Sequence, residues 1–259
     1  MSKKRRILLG TVPSEKNHYT CTPLGMASTL SSIHKRYKSR LIDFSSYNIS
    51  ISEAAKTVNG LNPDLFGLYS TSLELKKAVK FLNKIHYKVD TVLVGPHASS
   101  SKNVSMLDAP DYIFKGESER DINRFLKKVF SGSADRIWRG RPVKYLSSLE
   151  RPNFQHLPIE NYSMPTMSGR IAYIESSRGC NFNCLFCSLD EKKVRFKPPA
   201  KVADEMEYFS SKYGINFFEF ADSTFTNDED HVFEICREIE NRDLDVSWGV
   251  QTRIDQINE

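Results

Sequence analysis

Glu175-Ser176-Ser177-Arg178-Gly179-Cys180-Asn181-Phe182-Asn183-Cys184-Leu185-Phe186-Cys187 is the stretch on which the reading of this sequence turns. Its cysteines stand at spacings of four and three, directly after an apolar run, Arg170–Ser176, that reads as a strand. A triplet packed so tightly, in a chain with 5 cysteines in all, points to metal binding or catalysis rather than to a disulfide framework. In a [4Fe–4S] cube each iron wants one external ligand, and three thiolates on a short loop can reach three corners. The remaining iron then lacks a protein ligand, and an open metal position is where a small molecule binds and reacts. Cys236 shares the apolar face of a helical pattern with Val232, Phe233 and Ile239 and reads as a buried structural thiol. Cys21 falls in a loop and reads as a free thiol. A zinc site with a fourth ligand such as His231 is the alternative, although structural zinc usually shows paired C-x-x-C-like knuckles and there is no second pair.

Downstream the pattern alternates. Ala200–Tyr213 reads as a helix, Asn216–Ala221 as a strand, Asp228–Asn241 as a helix and Asp245–Thr252 as a strand. With the strand before the cysteines this makes a βαβαβ piece too short to close a barrel. The expectation is an open half-barrel or an incomplete chain.

Upstream, residues 6–132 alternate in the same way. Arg6–Thr11, Arg40–Ser45, Asp64–Tyr69, Thr91–Val94 and Tyr112–Phe114 read as strands. Pro23–Tyr37, Ile51–Asn59, Leu73–His86 and Glu119–Phe130 read as helices, the second opened by Ser50 or Ser52 with Glu53 in its first turn. Such alternation implies a parallel sheet covered on both faces. Gly132, Gly140, Pro142, Pro152, Pro158 and Pro165 then break any period, as in a linker or a meandering connection. The expected organisation is an α/β domain over residues 1–132, a linker over 133–165 and the cysteine-bearing βα piece over 166–259.

The C-x3-C-x2-C spacing, with Ser177-Arg178-Gly179 before it and Phe186 inside it, resembles the signature of radical S-adenosylmethionine (SAM) enzymes. The resemblance implies a [4Fe–4S] cluster on Cys180, Cys184 and Cys187, with SAM chelating the open iron through its amino and carboxylate groups. One electron would cleave SAM to a 5′-deoxyadenosyl radical that abstracts hydrogen from a substrate, while the protein orients the cofactor and excludes water. Phe186 would lie near the adenine. Where that family has a Gly-Gly-Glu-like motif, this chain has Asp222-Ser223-Thr224-Phe225, similar to the Asp-x-x-Phe variant of the cobalamin-associated branch. Asp222 and Thr224 become candidate SAM contacts, with an Asx turn or a helix cap as the alternative. Gln251-Thr252-Arg253-Ile254-Asp255 also resembles that branch and puts Arg253 either at the site or in a surface salt bridge.

Residues 1–132 resemble the cobalamin-binding domain that precedes many radical SAM domains. The resemblance implies an α/β fold class: a flavodoxin/Rossmann-like parallel sheet followed by about half of a radical SAM βα barrel. Turns at Thr22-Pro23-Leu24-Gly25, Ser70-Thr71-Ser72, Val94-Gly95-Pro96-His97-Ala98 and Gly116-Glu117-Ser118-Glu119 follow strands, where such sheets bind ligands. Small residues there would let a large planar ligand approach the backbone. Thr22, Ser70, Gly95, His97 and Gly116 are therefore the cobalamin-side candidates. An Asp-x-His-x-x-Gly motif that supplies a histidine to cobalt is missing.

The net charge is only +5, and the single basic run, Lys3-Lys4-Arg5-Arg6, reads as a solubilising flank rather than a nucleic-acid arm. No apolar run approaches the roughly 20 residues of a membrane span, and Ile7-Leu8-Leu9-Gly10 is too short for a signal-peptide core. A cytoplasmic protein that binds neither nucleic acid nor membrane is expected. The resemblance implies a small-molecule or biosynthetic-intermediate substrate, an electron donor such as flavodoxin or ferredoxin, and methyl transfer, ring formation or rearrangement as the reaction. Two other readings stay open. One is a truncated or split chain that binds a cluster, with or without cobalamin, and needs a second chain to complete the barrel. The other is a zinc-binding interaction protein.

Overall fold

The computed structural model describes residues 4–15, 22–101, 103–164, 169–189 and 191–257; Cys21 and Pro165 lie outside them. The chain divides into two compact units, one of Met1–His18, Pro23–Val143 and Glu150–Pro158, the other of Tyr19–Thr22, Lys144–Leu149 and Ile159–Glu259.

In the first unit β1 (Arg6–Thr11), β2 (Lys38–Ile42), β3 (Leu65–Tyr69), β4 (Asp90–Val94), β5 (Tyr112–Lys115) and β6 (Ile137–Arg139) alternate with helices. The helices are α1 (Leu24–Ser32), α2 (Ile51–Leu61), α3 (Leu75–Leu82), α4 (Pro96–Ser100) and α5 (Ile122–Phe130). The sheet is entirely parallel in the order β2-β1-β3-β4-β5-β6. The chain starts inside, steps out to β2, then returns past β1 to β3, which makes β1/β3 the topological switch point. A doubly covered parallel strand must be apolar on both faces, and Ile7, Leu8 and Leu9 are all buried. Phe44, Phe66 and Phe81 meet edge-on in the core, with ring centroids 5.5 to 5.7 Å apart. At α2 the Ser50 hydroxyl accepts from the Glu53 amide while the Glu53 carboxylate accepts from the Ser50 amide, the reciprocal cap the sequence suggests.

Two readings of the sequence change. Helix α1 stops at Ser32 instead of running to Tyr37, because Ile33 turns extended and is buried, and pairing of β2 with β1 already begins at Lys38. The stretch read as a linker contributes β6, whose Ile137 and Trp138 pair in register with Ile113 and Phe114 of β5. Three residues bounded by Arg136 and Gly140 are too few to show a strand period.

The second unit contains β7 (Arg170–Ile174), the two-residue strands β8 (Ser177–Arg178) and β9 (Arg195–Phe196), α6 (Pro199–Tyr213), β10 (Ile215–Phe220), α7 (Glu229–Asn241) and β11 (Ser247–Gly249). Strands β7, β10 and β11 lie parallel in sequential order. Sequential order without a switch point, with right-handed crossovers, places both helices on one face, as in an arc of a βα barrel. Helices α6 and α7 pack on each other, burying Val202, Met206, Phe209, Ile235 and Ile239. Proline at the first position starts α6 and Gly214, with φ +64°, ends it. Strand β11 is shorter than its pattern suggests: the chain leaves the sheet after Gly249, and the Gln251 carbonyl accepts instead from the Phe225 amide at 3.0 Å. Among the described residues no helix is long and apolar enough to cross a membrane.

Candidate metal centre

Strands β8 and β9 pair antiparallel, Ser177 with Phe196 and Arg178 with Arg195, and so close residues 179–194 into a loop that carries all three cysteines of the triplet. Gly179 makes the closure possible. Its φ is +96°, and a Cβ there would sit 2.4 Å from the Lys193 carbonyl oxygen. The Cys180 amide donates to the Glu191 carbonyl at 3.0 Å, and the Cys187 amide to the Cys184 carbonyl at 3.0 Å.

Each sulfur has a polar neighbour. Cys180 is buried, with Sγ 3.5 Å from the Thr224 hydroxyl. Cys184 Sγ accepts from Arg253 Nη1 at 3.1 Å, and the exposed Cys187 Sγ accepts from the Leu189 amide at 3.4 Å. N–H donors at sulfur suit thiolates that share negative charge with a cluster. Among the described residues no three His, Cys, Asp or Glu side chains form a group that could hold a single metal ion. A cube puts each thiolate on a different iron, so cysteines spread along one loop fit it better than they fit a mononuclear zinc site.

Two buried polar clusters hold this loop. Asp222, at the end of β10, accepts from the Ser176 amide at 2.8 Å and from the Ser176 and Ser177 hydroxyls at 2.6 Å each. Burial pushes the Asp222 carboxyl above the usual aspartate range, against the pull of these hydrogen bonds. Its carboxylate is thus engaged in anchoring the segment that leads into the cysteines. The second cluster was not legible in the sequence. Glu175 is bonded by Arg178 Nε and Nη2 at 2.8 and 2.9 Å, and Lys197 Nζ lies 2.8 Å from Glu205 and 3.8 Å from Glu175. Lys197 is 1% exposed. Burial raises both carboxyls, but Arg178 and Lys197 together carry Glu175 below its ordinary value. Glu205 has Lys197 as its close cation and stays above it.

The other residues singled out in this unit fall as follows. Phe186 and Leu185 project from the loop into solvent. Thr224 is buried, and besides meeting Cys180 its hydroxyl donates to the Ser223 carbonyl at 2.8 Å. Arg253 reaches Cys184 and also forms an ion pair with Asp255. His231 lies against the Phe196 ring at 4.6 Å, and among the described residues its Nε2 has no hydrogen-bond partner. Cys236 is half-buried on α7, and burial raises its thiol. Thr22 belongs to this unit too: its hydroxyl accepts from the Tyr173 amide of β7 at 2.8 Å.

In the first unit Ser70, Gly95, His97 and Gly116 all follow the C-terminal ends of parallel strands, the ligand edge of such sheets. Gly95 has φ +105°, and a Cβ on it would meet the Ser70 carbonyl oxygen at 2.9 Å; at Gly116, φ +79°, it would meet the Gly140 carbonyl oxygen at 3.0 Å. Both glycines are therefore needed by the chain's own backbone. His97 Nδ1 lies 3.0 Å from the Ser72 hydroxyl, and burial, with Lys115 nearby, lowers its pKa.

Residues 174–254 match the radical SAM superfamily. An uncharacterized methyltransferase of Pyrococcus horikoshii is 28% identical, across 99% of this chain and 62% of that protein. The anaerobic magnesium-protoporphyrin IX monomethyl ester cyclase of Rubrivivax gelatinosus is 29% identical, across 83% of this chain and 43% of its own length. The chain thus spans roughly half the length of these relatives. Among solved structures, the cobalamin-dependent SAM radical enzyme OxsB superposes with a TM-score of 0.78 at 17% identity, over 99% of this chain and 40% of that one. The radical SAM methyltransferase TsrM from Kitasatospora setae, with cobalamin and a [4Fe–4S] cluster bound, superposes at 0.70 and 16% identity, over 93% of this chain and 51% of that one. The fold class read from the sequence, a parallel α/β unit followed by part of a βα barrel, is the one observed, and within it residues 174–254 match the radical SAM superfamily.

Proposed function

We propose that this chain is the cluster-bearing part of a cobalamin-associated radical SAM enzyme acting on an unactivated carbon of a small-molecule or biosynthetic-intermediate substrate. The observation that carries this reading is the cysteine loop itself, closed by β8 and β9 beyond the end of β7, with a polar neighbour at each sulfur. Cys180, Cys184 and Cys187 would hold a [4Fe–4S] cluster, which when bound supplies an electron for reductive cleavage of SAM. Phe186, Thr224 and Arg253 would flank SAM, and Asp222 would keep the loop in place through Ser176 and Ser177. In the first unit Ser70, Gly95, His97 and Gly116 mark the edge where cobalamin would lie. Support there is the fold and the position of these residues at the strand ends. The relatives named methyltransferase favour methyl transfer, and those named cyclase favour ring formation. A flavodoxin or ferredoxin in the cytoplasm would serve as electron donor.

The test is anaerobic reconstitution with iron and sulfide, reduction, and EPR with and without SAM. A [4Fe–4S] signal altered by SAM supports the proposal. A cluster indifferent to SAM would favour cluster binding without turnover until further βα units complete the arc. Zinc in place of a cluster would overturn the reading.

A further inference from the structure

The Arg253 guanidinium is held in three directions. Nε and Nη2 donate to Oδ1 and Oδ2 of Asp255 at 2.9 and 2.5 Å, a fork that fixes the plane of the group. Its face lies over the Phe182 ring, 4.4 Å from the centroid. Nη1 remains, and it donates to Cys184 Sγ at 3.1 Å. The chain just before it is tied down as well. The Gln251 carbonyl accepts from the Phe225 amide, and the hydroxyls of Thr252 and Thr226 share a hydrogen bond. A lysine in this place could bring charge to the sulfur, but it could not also fill the carboxylate fork and the ring face.

We infer that Arg253, oriented by Asp255, raises the reduction potential of the cluster held by this loop through its hydrogen bond to the Cys184 sulfur. The inference rests on the cluster reading above and adds a positioning and tuning residue to it. Reduction adds negative charge to the cluster and its sulfurs. A cationic N–H donor at hydrogen-bond distance stabilises the reduced form more than the oxidised one, and hydrogen bonds to sulfur are among the determinants of cluster potential. Lys192 supplies an internal comparison. It is a cation on the same loop, but its Nζ donates to the Phe182 carbonyl at 2.9 Å.

The experiment is an EPR-monitored redox titration of the reconstituted full chain, its iron and sulfide content first established, for the parent, Arg253→Met, Arg253→Lys and Lys192→Met. At a fixed solution potential the reduced-to-oxidised ratio should fall about tenfold in Arg253→Met, about 59 mV for one electron. It should fall less in Arg253→Lys and hold in Lys192→Met. If Arg253→Met does not retain its cluster, the Arg253→Lys comparison decides, since it keeps the charge and loses the fork. An unmoved potential in the Arg253 variants would overturn the inference while leaving the cluster reading intact. An equal shift in Lys192→Met would also overturn it, by reducing the effect to general charge. A parent chain that binds no cluster would defeat both readings.

Discussion

Asp222 and Ser176 are joined twice, by the Ser176 amide to Oδ1 at 2.8 Å and by its hydroxyl to Oδ2 at 2.6 Å. The pair ties the end of β10 to the segment between β7 and the cysteines, and the Ser177 hydroxyl adds a third bond at 2.6 Å. Asp222→Ala would leave a buried amide and two hydroxyls without their acceptor, a loss of about 3 kcal/mol when hydrogen bonds to a charged group are broken in a buried site. Asp222→Asn, which keeps one acceptor oxygen, should lose less. Urea unfolding gives the stability, and iron per chain after reconstitution gives the consequence for the loop. An Asp222→Ala chain as stable as the parent would show that the clamp carries no weight.

Gly179→Ala combines a left-handed backbone with a Cβ 2.4 Å from the Lys193 carbonyl oxygen. Strands β8 and β9 could not close as they do, so iron and sulfide per chain should drop several-fold while far-UV circular dichroism stays near that of the parent. Gly132→Ala is the control. Its φ is +67°, but nothing lies within 4 Å of the added carbon, so it should cost about 1 kcal/mol and leave cluster content unchanged. Equal cluster content in both variants would refute the geometric role given to Gly179.

What the sequence disclosed and what it hid differ in range. The cysteine spacing, the Ser50–Glu53 cap and the strand–helix alternation are local patterns, and they were readable because their physics acts over a few residues. Strand β6 and the β8–β9 ladder are two or three residues long, below the length at which a period exists. Gly179 can be seen to be obligatory only once Lys193 is brought against it. Lys197 reads in sequence as one more surface lysine beside Lys192, Lys193 and Arg195, and its burial follows from the later arrival of Glu205 on α6. Asp222 had the right position at a strand end, but its partners, 46 and 45 residues earlier in the chain, could not be read from spacing.

The Lys197 cluster predicts a strongly coupled pair. Glu205 and Lys197 are both nearly inaccessible, and their contact at 2.8 Å is the only close cation contact of the Glu205 carboxylate among the described residues. Lys197→Met would strand a buried carboxylate at a cost of about 3–5 kcal/mol. Replacing both, Lys197→Met with Glu205→Leu, removes the stranded charge and should recover at least half of that loss, since Glu175 keeps its bonds to Arg178. A double-mutant cycle by chemical denaturation measures the coupling. Additive losses would mean that the two side chains do not act as a pair.

His231 gives the second unit a pH dependence whose sign can be worked out. Burial lowers its pKa from the ordinary 6.5, outweighing the opposite pulls of Asp222, Asp228, the Ser176 backbone and Glu234. The unfolded chain therefore binds a proton at higher pH than the folded one, and stability rises with pH between the two pKa values. The contribution of the neutral imidazole is fully present above about 6.5 and is lost as pH falls through the folded pKa, with a slope no steeper than one proton, about 1.36 kcal/mol per pH unit. Asp222, held above its ordinary range, works in the opposite direction at lower pH, so the two effects are separated by varying His231 alone. His231→Phe should flatten the stability profile between pH 7.5 and about 5.5, measured as urea midpoints on the two chains. It should also narrow the gap to the parent, or reverse it, as pH falls, because the orphaned Nε2 is removed and no proton is taken up. Parallel profiles for parent and variant would mean that His231 titrates alike in the folded and unfolded chain, and burial of the imidazole would then have no energetic consequence.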